Sequence, residues 1–294
     1  MSRYIEIAIP PGKKIPTIEN YVAGLLPYEI SDDDCWINQI GRVASDNKAD
    51  LLVVQTDDNH FSLLPGSEFS PRLYRGQPGF HKKCVPLLFR GLTQIKYLTD
   101  LLKKYEFCKL MAEHPTIKYL QDWCIDGKHF KIDMEGLSAH YEFATPMLDV
   151  TKSKDIAMFF ALCEKNKKSN RYEPVTDENR EVVLYTVDMK ALLENSNSDF
   201  HVIGFQALLR PDAQKAYSLF VSHKQNFNTC PFVNYKKFRV NRKQSEKYFE
   251  MFEGGAKLFP SDVVDDMALE IKESREIDKE VLEVCFERHL IPKV

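Results

Sequence analysis

Two arginines stand in similar surroundings. Arg75 lies in Leu73-Tyr74-Arg75-Gly76-Gln77, just before a Pro78-Gly79 turn, and Arg90 closes Pro86-Leu87-Leu88-Phe89-Arg90 ahead of Gly91. A guanidinium forks onto a phosphate or carboxylate through parallel N–H donors, so the pair points to an anion such as a phosphate. Gly76 would keep the backbone clear for a ligand. Further along, His140-Tyr141 precede an apolar segment carrying Thr145, Asp149 and Thr151. Asp149 sits between Leu148 and Val150, so a partly buried carboxylate there needs a partner, and Arg75 is a candidate. The ordinary pKa of a histidine lies near neutral, so His140 could act as an acid or a base. A third stretch, Arg210-Pro211-Asp212-Ala213-Gln214, runs into a β-rich segment from whose end Gln214 could reach a substrate. Each of these residues alone also has a structural use: an arginine leading into a turn, a packed histidine, an aspartate capping a helix.

The rest of the chain narrows the chemistry. There is no Gly-x-x-x-x-Gly-Lys-[Ser/Thr] loop, no Gly-x-Gly-x-x-Gly, no His-Glu-x-x-His and no Gly-x-Ser-x-Gly. Seven cysteines, with no Cys-x-x-Cys spacing, argue against a disulfide framework and a cysteine-rich zinc site; no other spacing supports a metal. A net charge of −3 gives no global pull toward nucleic acid, although a local basic groove stays open. No stretch approaches the roughly 18 apolar residues of a membrane span, and Met1–Pro10 lacks a signal-peptide core, so a cytoplasmic setting is expected.

Elements must hold these residues in place. Residues 3–9 read as an opening strand, and 49–55 with 60–64 as a hairpin around Thr56-Asp57-Asp58-Asn59. Apolar residues from 92 to 112 recur at three- and four-residue steps, which predicts an amphipathic helix. Residues 115–140 read as helical in parts. Ser153 caps a predicted helix over 153–164 that is apolar on nearly every face and therefore buried. The polar run 164–180 reads as a mobile loop or hairpin tip. Strands are predicted at 181–187, 216–222 and 235–240. Helices follow at 244–253, stopped by Gly254-Gly255, from Ser261 to about Glu273, and at roughly 276–290. The fold class expected is α+β: a single mixed β-sheet domain with flanking helices and a helical C-terminal end. The divisions expected are an N-terminal β extension (1–67) packed on a main domain (68–272), then a C-terminal helix (273–294).

Together these stretches resemble the FRG domain of bacteria. Its Phe/Tyr-Arg-Gly-Gln motif is matched by Tyr74-Arg75-Gly76-Gln77, and a following Pro and Leu/Phe-Arg by Pro86 to Arg90. Its second hallmark is similar to His140, Tyr141, Thr145, Leu148, Asp149 and Thr151 followed by Ala157, Phe159, Phe160 and Ala161. Arg210, Gln214, Ser218 and Phe220 resemble a third, and Lys257 to Asp262 a closing Leu-Phe-Pro-Asp segment. Glu142 stands where the family tends to have glycine, and Pro146 where it has an arginine.

The motif order resembles that of ADP-ribosyltransferases. That likeness implies an ADP-ribosyltransferase-like fold and NAD as the dinucleotide ligand. Tyr74, Arg75, Gly76, Gln77 and Arg90 would bind it, with Arg75 on its phosphates, and Tyr141, Thr145 and Thr151 would form its pocket. Asp149, Gln214 and His140 are the catalytic candidates. Enzyme activity is left open, because no Glu-x-Glu pair lies near Gln214. Members of the family resemble accessory proteins of bacterial defence or toxin systems. Two alternatives stand beside the transferase: a non-catalytic module that senses a nucleotide or nucleic acid, and a metal-dependent nuclease using His140 and Asp149. No membrane partner is expected, and no protein partner is indicated.

Overall fold

The computed structural model describes residues 25–26, 39–44, 50–65 and 71–287, except Leu92, Asp126, Lys167, 196–199, Ala207, Asp262 and Arg275. The opening strand expected at 3–9 lies outside the described residues, as does the end of the last helix beyond 287.

The chain begins with strands β1 (Leu25–Leu26), β2 (Gln39–Ala44), β3 (Asp50–Asp57) and β4 (His60–Pro65). The β3–β4 hairpin turns where expected, with the Asn59 amide donating to Asp57 Oδ1 at 3.0 Å. Strand β5 (Arg72–Gln77) carries Arg75. Helix α1 (Gln94–Ala112) starts at Thr93, whose hydroxyl accepts from the Lys96 amide at 3.2 Å. The region 115–140 holds helices α2 (Pro115–Gln121) and α3 (Met134–His140), with the short strands β6 (Cys124–Ile125) and β7 (Lys128–Phe130) between them. Strand β8 (Met147–Thr151) leads straight into α4 (Lys154–Leu162), with Ser153 as its N-cap.

The polar run expected as a loop or hairpin tip is a two-stranded ribbon, β9 (Cys163–Lys165) with β10 (Tyr172–Pro174). Next come β11 (Glu181–Asp188), α5 (Met189–Glu194), β12 (Phe200–Ile203), α6 (Leu209–Ala213), β13 (Ala216–Val221) and β14 (Val233–Arg239). Helices α7 (Arg242–Met251), α8 (Val263–Glu273) and α9 (Lys279–Glu287) complete the chain. Gly254 and Gly255 take φ of 65° and 100°, the left-handed conformation that stops α7.

The expectation of a single sheet is corrected. Among the described residues there are two six-stranded sheets besides the ribbon: β1-β2-β3-β4-β7-β6 and β12-β13-β8-β5-β11-β14. The second is antiparallel throughout, whereas β4 and β7 run parallel in the first. The split escaped sequence reading because β6 and β7 are two and three residues long, too short for a period-2 pattern. What holds them is tertiary: Phe130 packs on Phe61 of β4 at 5.5 Å and on Trp123 at 5.6 Å.

Each sheet has its own core. Val53, Phe61 and Leu63 of the first sheet pack on Phe107 and Met111 of α1, on α2, and on Val264 and Ile271 of α8. In the second sheet, Leu73, Leu148, Val150, Val183, Tyr185 and Leu219 share one face with Met189 and Leu192 of α5. Helix α4 lies on the opposite face. There Gly76 allows the closest approach: a Cβ would fall 1.7 Å from the Ala157 carbonyl oxygen. The sequence reading assigned Gly76 to clearing room for a ligand; the contact that requires glycine is this helix.

Candidate functional site

A cleft of about 610 Å³ opens where two central strands of the second sheet part. Among the described residues, pairing between β5 and β8 is confined to Tyr74 with Thr151. Beyond it, Arg75, Gly76 and Gln77 on one side and Asp149 and Val150 on the other line the cleft. A side chain spans the gap, since Arg75 Nη1 donates to the Asp149 carbonyl at 2.6 Å. Arg75 therefore meets the backbone of Asp149, not its carboxylate as the sequence suggested. The reason is strand alternation. Leu148 and Val150 face the α5 side, so Asp149 faces α4, while Arg75 shares its face with Leu73.

Arg90 reaches the same cleft, its Nε donating to the Val85 carbonyl at 2.9 Å. Desolvation, and then the like charge of Arg75, push the Arg90 guanidinium below its ordinary pKa. Among the described residues Arg75 Nε is buried with no hydrogen-bond partner. One guanidinium is thus disfavoured by burial and like charge, and the other keeps a buried donor without a partner among the described residues. An anion between them would relieve both conditions.

The carboxylate of Asp149 is 44 % exposed, with Oδ1 3.7 Å from His140 Nδ1 and 3.5 Å from Ser218 Oγ, which donates to it. Ser218 Oγ is also 3.2 Å from His140 Nε2. Burial pushes the His140 pKa down, against the pull of Asp149, so the ring is neutral at pH 7. Ser218 is fully buried and cannot meet a substrate. Ser218 thus orients Asp149 beside the neutral His140, and the three do not form a nucleophilic triad.

The other expected residues divide. Tyr74, Gln77, Thr151 and Gln214 line the cleft; Tyr141 and Thr145 do not. Tyr141 is wholly buried against Phe107 at 5.3 Å, and Thr145 is buried with its hydroxyl accepting from the Met147 amide at 3.2 Å. Thr151 Oγ1 donates to the Gln214 carbonyl at 2.8 Å and accepts from the Ser153 amide at 3.0 Å. Gln214 Nε2 donates to the Leu258 carbonyl at 3.1 Å. These polar groups tie the end of β8 to α4, α6 and the 258 segment.

Sequence reasoning missed the far wall. Glu142 lines the cleft with φ of 66° and bonds to Lys165 at 2.8 Å and Arg210 at 3.0 Å, with Lys272 at 3.7 Å. Burial alone would raise its carboxyl; the Lys165 hydrogen bond and the charges of Arg210 and Lys272 overcome this and hold it at about 2. Arg210, 8 % exposed, also binds Asp265 at 2.9 Å and lies over Phe259 at 4.6 Å. Tyr172 and Phe259 stack at 5.1 Å, and with Phe160 they make an aromatic wall. One signal was available: Glu142 occupies the glycine position of the motif, and its backbone keeps a glycine-like conformation. Where the motif's arginine is replaced by Pro146, a guanidinium reaches this segment from Arg210 instead.

Among the described residues no group of three or more His, Cys, Asp or Glu could hold a metal ion. No described helix is long and apolar enough to cross a membrane.

Residues 70–170 match the family model of the FRG domain. Over that span the chain is similar to the FRG domain. The match takes in β5, Arg90, Asp149, α4 and Lys165, while Arg210, Gln214 and Phe259 lie beyond it. Neither a curated protein nor a solved structure matches the chain.

Proposed function

We propose that the cleft binds NAD and that the protein is an NAD-consuming ADP-ribosyltransferase. The observation that carries this reading is that Arg75 and Arg90 both line the cleft at the parting of β5 and β8, with the half-exposed Asp149 in the same lining. The arginines would take the pyrophosphate. The Tyr172–Phe259 wall would take a flat ring. In the reaction the glycosidic bond between ribose C1′ and the nicotinamide nitrogen breaks, and its electron pair leaves with nicotinamide. The cation-like ribose is captured by a nucleophile of the acceptor, which loses its proton. Asp149, which accepts from Ser218, is the carboxylate that would steady that charge. Glu142 is already engaged by three cations, and the amide of Gln214 by a backbone carbonyl.

The test is calorimetric titration with NAD, ADP-ribose and ATP, followed by an assay for nicotinamide release. Arg90→Ala should weaken NAD binding about tenfold, the loss of a charge-assisted hydrogen bond, with an unchanged melting temperature. Asp149→Asn should keep binding and lose nicotinamide release. No binding of any of the three ligands, or full affinity in Arg90→Ala, would remove the reading. A second reading is a nucleotide-sensing module without chemistry. It is favoured by the commitment of Thr151 and Gln214 to backbone bonds. NAD binding with no nicotinamide release would select it.

A further inference from the structure

The outer edge of the second sheet carries a feature that the cleft does not use. β14 ends the strand order, and its residues from Asn234 to Lys237 are exposed. Residues 235–247 contain six lysines and arginines against one acidic residue, in a chain whose net charge is −3. All six are exposed. Lys237 pairs with Glu181 at 3.4 Å and Arg242 with Glu246 at 2.8 Å; the other four make no ion pair among the described residues.

Aromatic rings lie among these charges. Tyr235, 43 % exposed, packs on Phe80 with centroids 5.2 Å apart, and Lys237 Nζ lies 5.0 Å over the Phe80 ring. Phe80 opens the exposed run His81-Lys82-Lys83. That run is fixed beside β14, because Asn228 Nδ2 donates to the His81 carbonyl at 2.8 Å while Asn228 Oδ1 accepts from Tyr185, the partner of Tyr235 across the strands. A strand that is last in its sheet among the described residues, with a half-exposed ring and lysines on both sides, most of them without an ion pair, offers π-faces for bases and charges for a backbone.

We propose that this edge, centred on Tyr235 and Phe80 and flanked by Lys82, Lys83, Lys236 and Lys237, binds single-stranded nucleic acid. Stacking on Tyr235 favours unpaired bases over a duplex, whose bases already stack on one another. The lysines supply the charge for phosphates without reading sequence. This proposal stands apart from the NAD reading, since none of the six residues lines the cleft.

The test is fluorescence polarisation of labelled 20-mers of dT and of U, with a duplex of equal length and poly-glutamate as competitor. Binding to either single strand should fall with salt, with a logarithmic slope of about −2 if three phosphates are held. The dT and U arms show which sugar is preferred. Tyr235→Ala should weaken binding about tenfold, Lys236→Glu/Lys237→Glu should abolish it, and the cleft variant Arg90→Ala should leave it unchanged. If the double charge reversal lowers the melting temperature, Lys82→Ala/Lys83→Ala serves instead. No binding at low salt, unchanged binding in Tyr235→Ala, tighter binding of the duplex, or equal competition by poly-glutamate would each overturn the proposal. The last result would mark the edge as a surface for acidic protein instead.

Discussion

Glu142 shows how much one position can carry. Its backbone is left-handed, its carboxylate faces three cations, and it touches the cleft. Because its folded pKa lies below that of the unfolded chain, its ion pairs contribute fully above the ordinary glutamate range near pH 4.5. That contribution is lost as pH falls toward 2. Glu142→Gln should therefore flatten the fall in stability between about pH 5 and pH 2, read from urea midpoints across that range. At pH 7 the same change should cost about 2 kcal/mol. Solvent at the exposed part of Glu142 moderates the loss, and Arg210 keeps Asp265 as a partner. Glu142→Gly should be more stable than Glu142→Ala by about 1 kcal/mol, since both lose the network and only glycine is relieved at φ 66°. Equal stabilities for the two would show that the left-handed backbone stores no strain.

At the scale of elements, the cleft depends on the seating of α4 over β5. Gly76 lets the two backbones touch, and Ser153 fixes where the helix begins. Gly76→Ala should destabilise the protein by about 3 kcal/mol or more, because the obstacle at 1.7 Å is a backbone oxygen that cannot turn aside. A urea midpoint close to wild type, with the same slope, would show that the helix can lift away. Ser153→Ala removes the cap that accepts from the Ile156 amide and should cost about 1 kcal/mol in the same measurement. The β9–β10 ribbon has a different use: its cross-strand pair Lys165 and Tyr172 brings a cation and a ring to the far wall of the cleft.

Across the whole molecule, the cleft draws on strands, helices and loops that are far apart in the chain. A ligand bridging them should stabilise the entire second sheet. NAD at a hundred times its dissociation constant should add about 2.7 kcal/mol, seen as a melting temperature raised by a few degrees. An unchanged melting temperature in saturating NAD would show that NAD does not bind the folded protein in preference to the unfolded chain. Thiol chemistry gives a second global measure. Burial pushes Cys108, Cys163 and Cys230 up to about 12, whereas Cys124 is exposed. Among the described cysteines, Cys124 should therefore react first with a thiol reagent under native conditions, and those three only on unfolding. Fast labelling of Cys163 would mean that α4 and the ribbon open readily.

The sequence by itself determined the local elements and the residue types of the site. Helices α1 and α4 and the β3–β4 hairpin were legible because apolar period, caps and turn residues act over a few positions. Arg75, Arg90, His140 and Asp149 were singled out by residue type and motif, and the structure brings all four to the lining of one cleft. Only the tertiary structure decided how they meet. It set Arg75 on the Asp149 backbone, gave Gly76 to α4, divided the strands between two sheets, and built the far wall from Glu142, Arg210, Tyr172 and Phe259. The physical reason is separation along the chain. Arg210 meets Glu142 across 68 positions and Gln214 meets Leu258 across 44, contacts that no local pattern encodes.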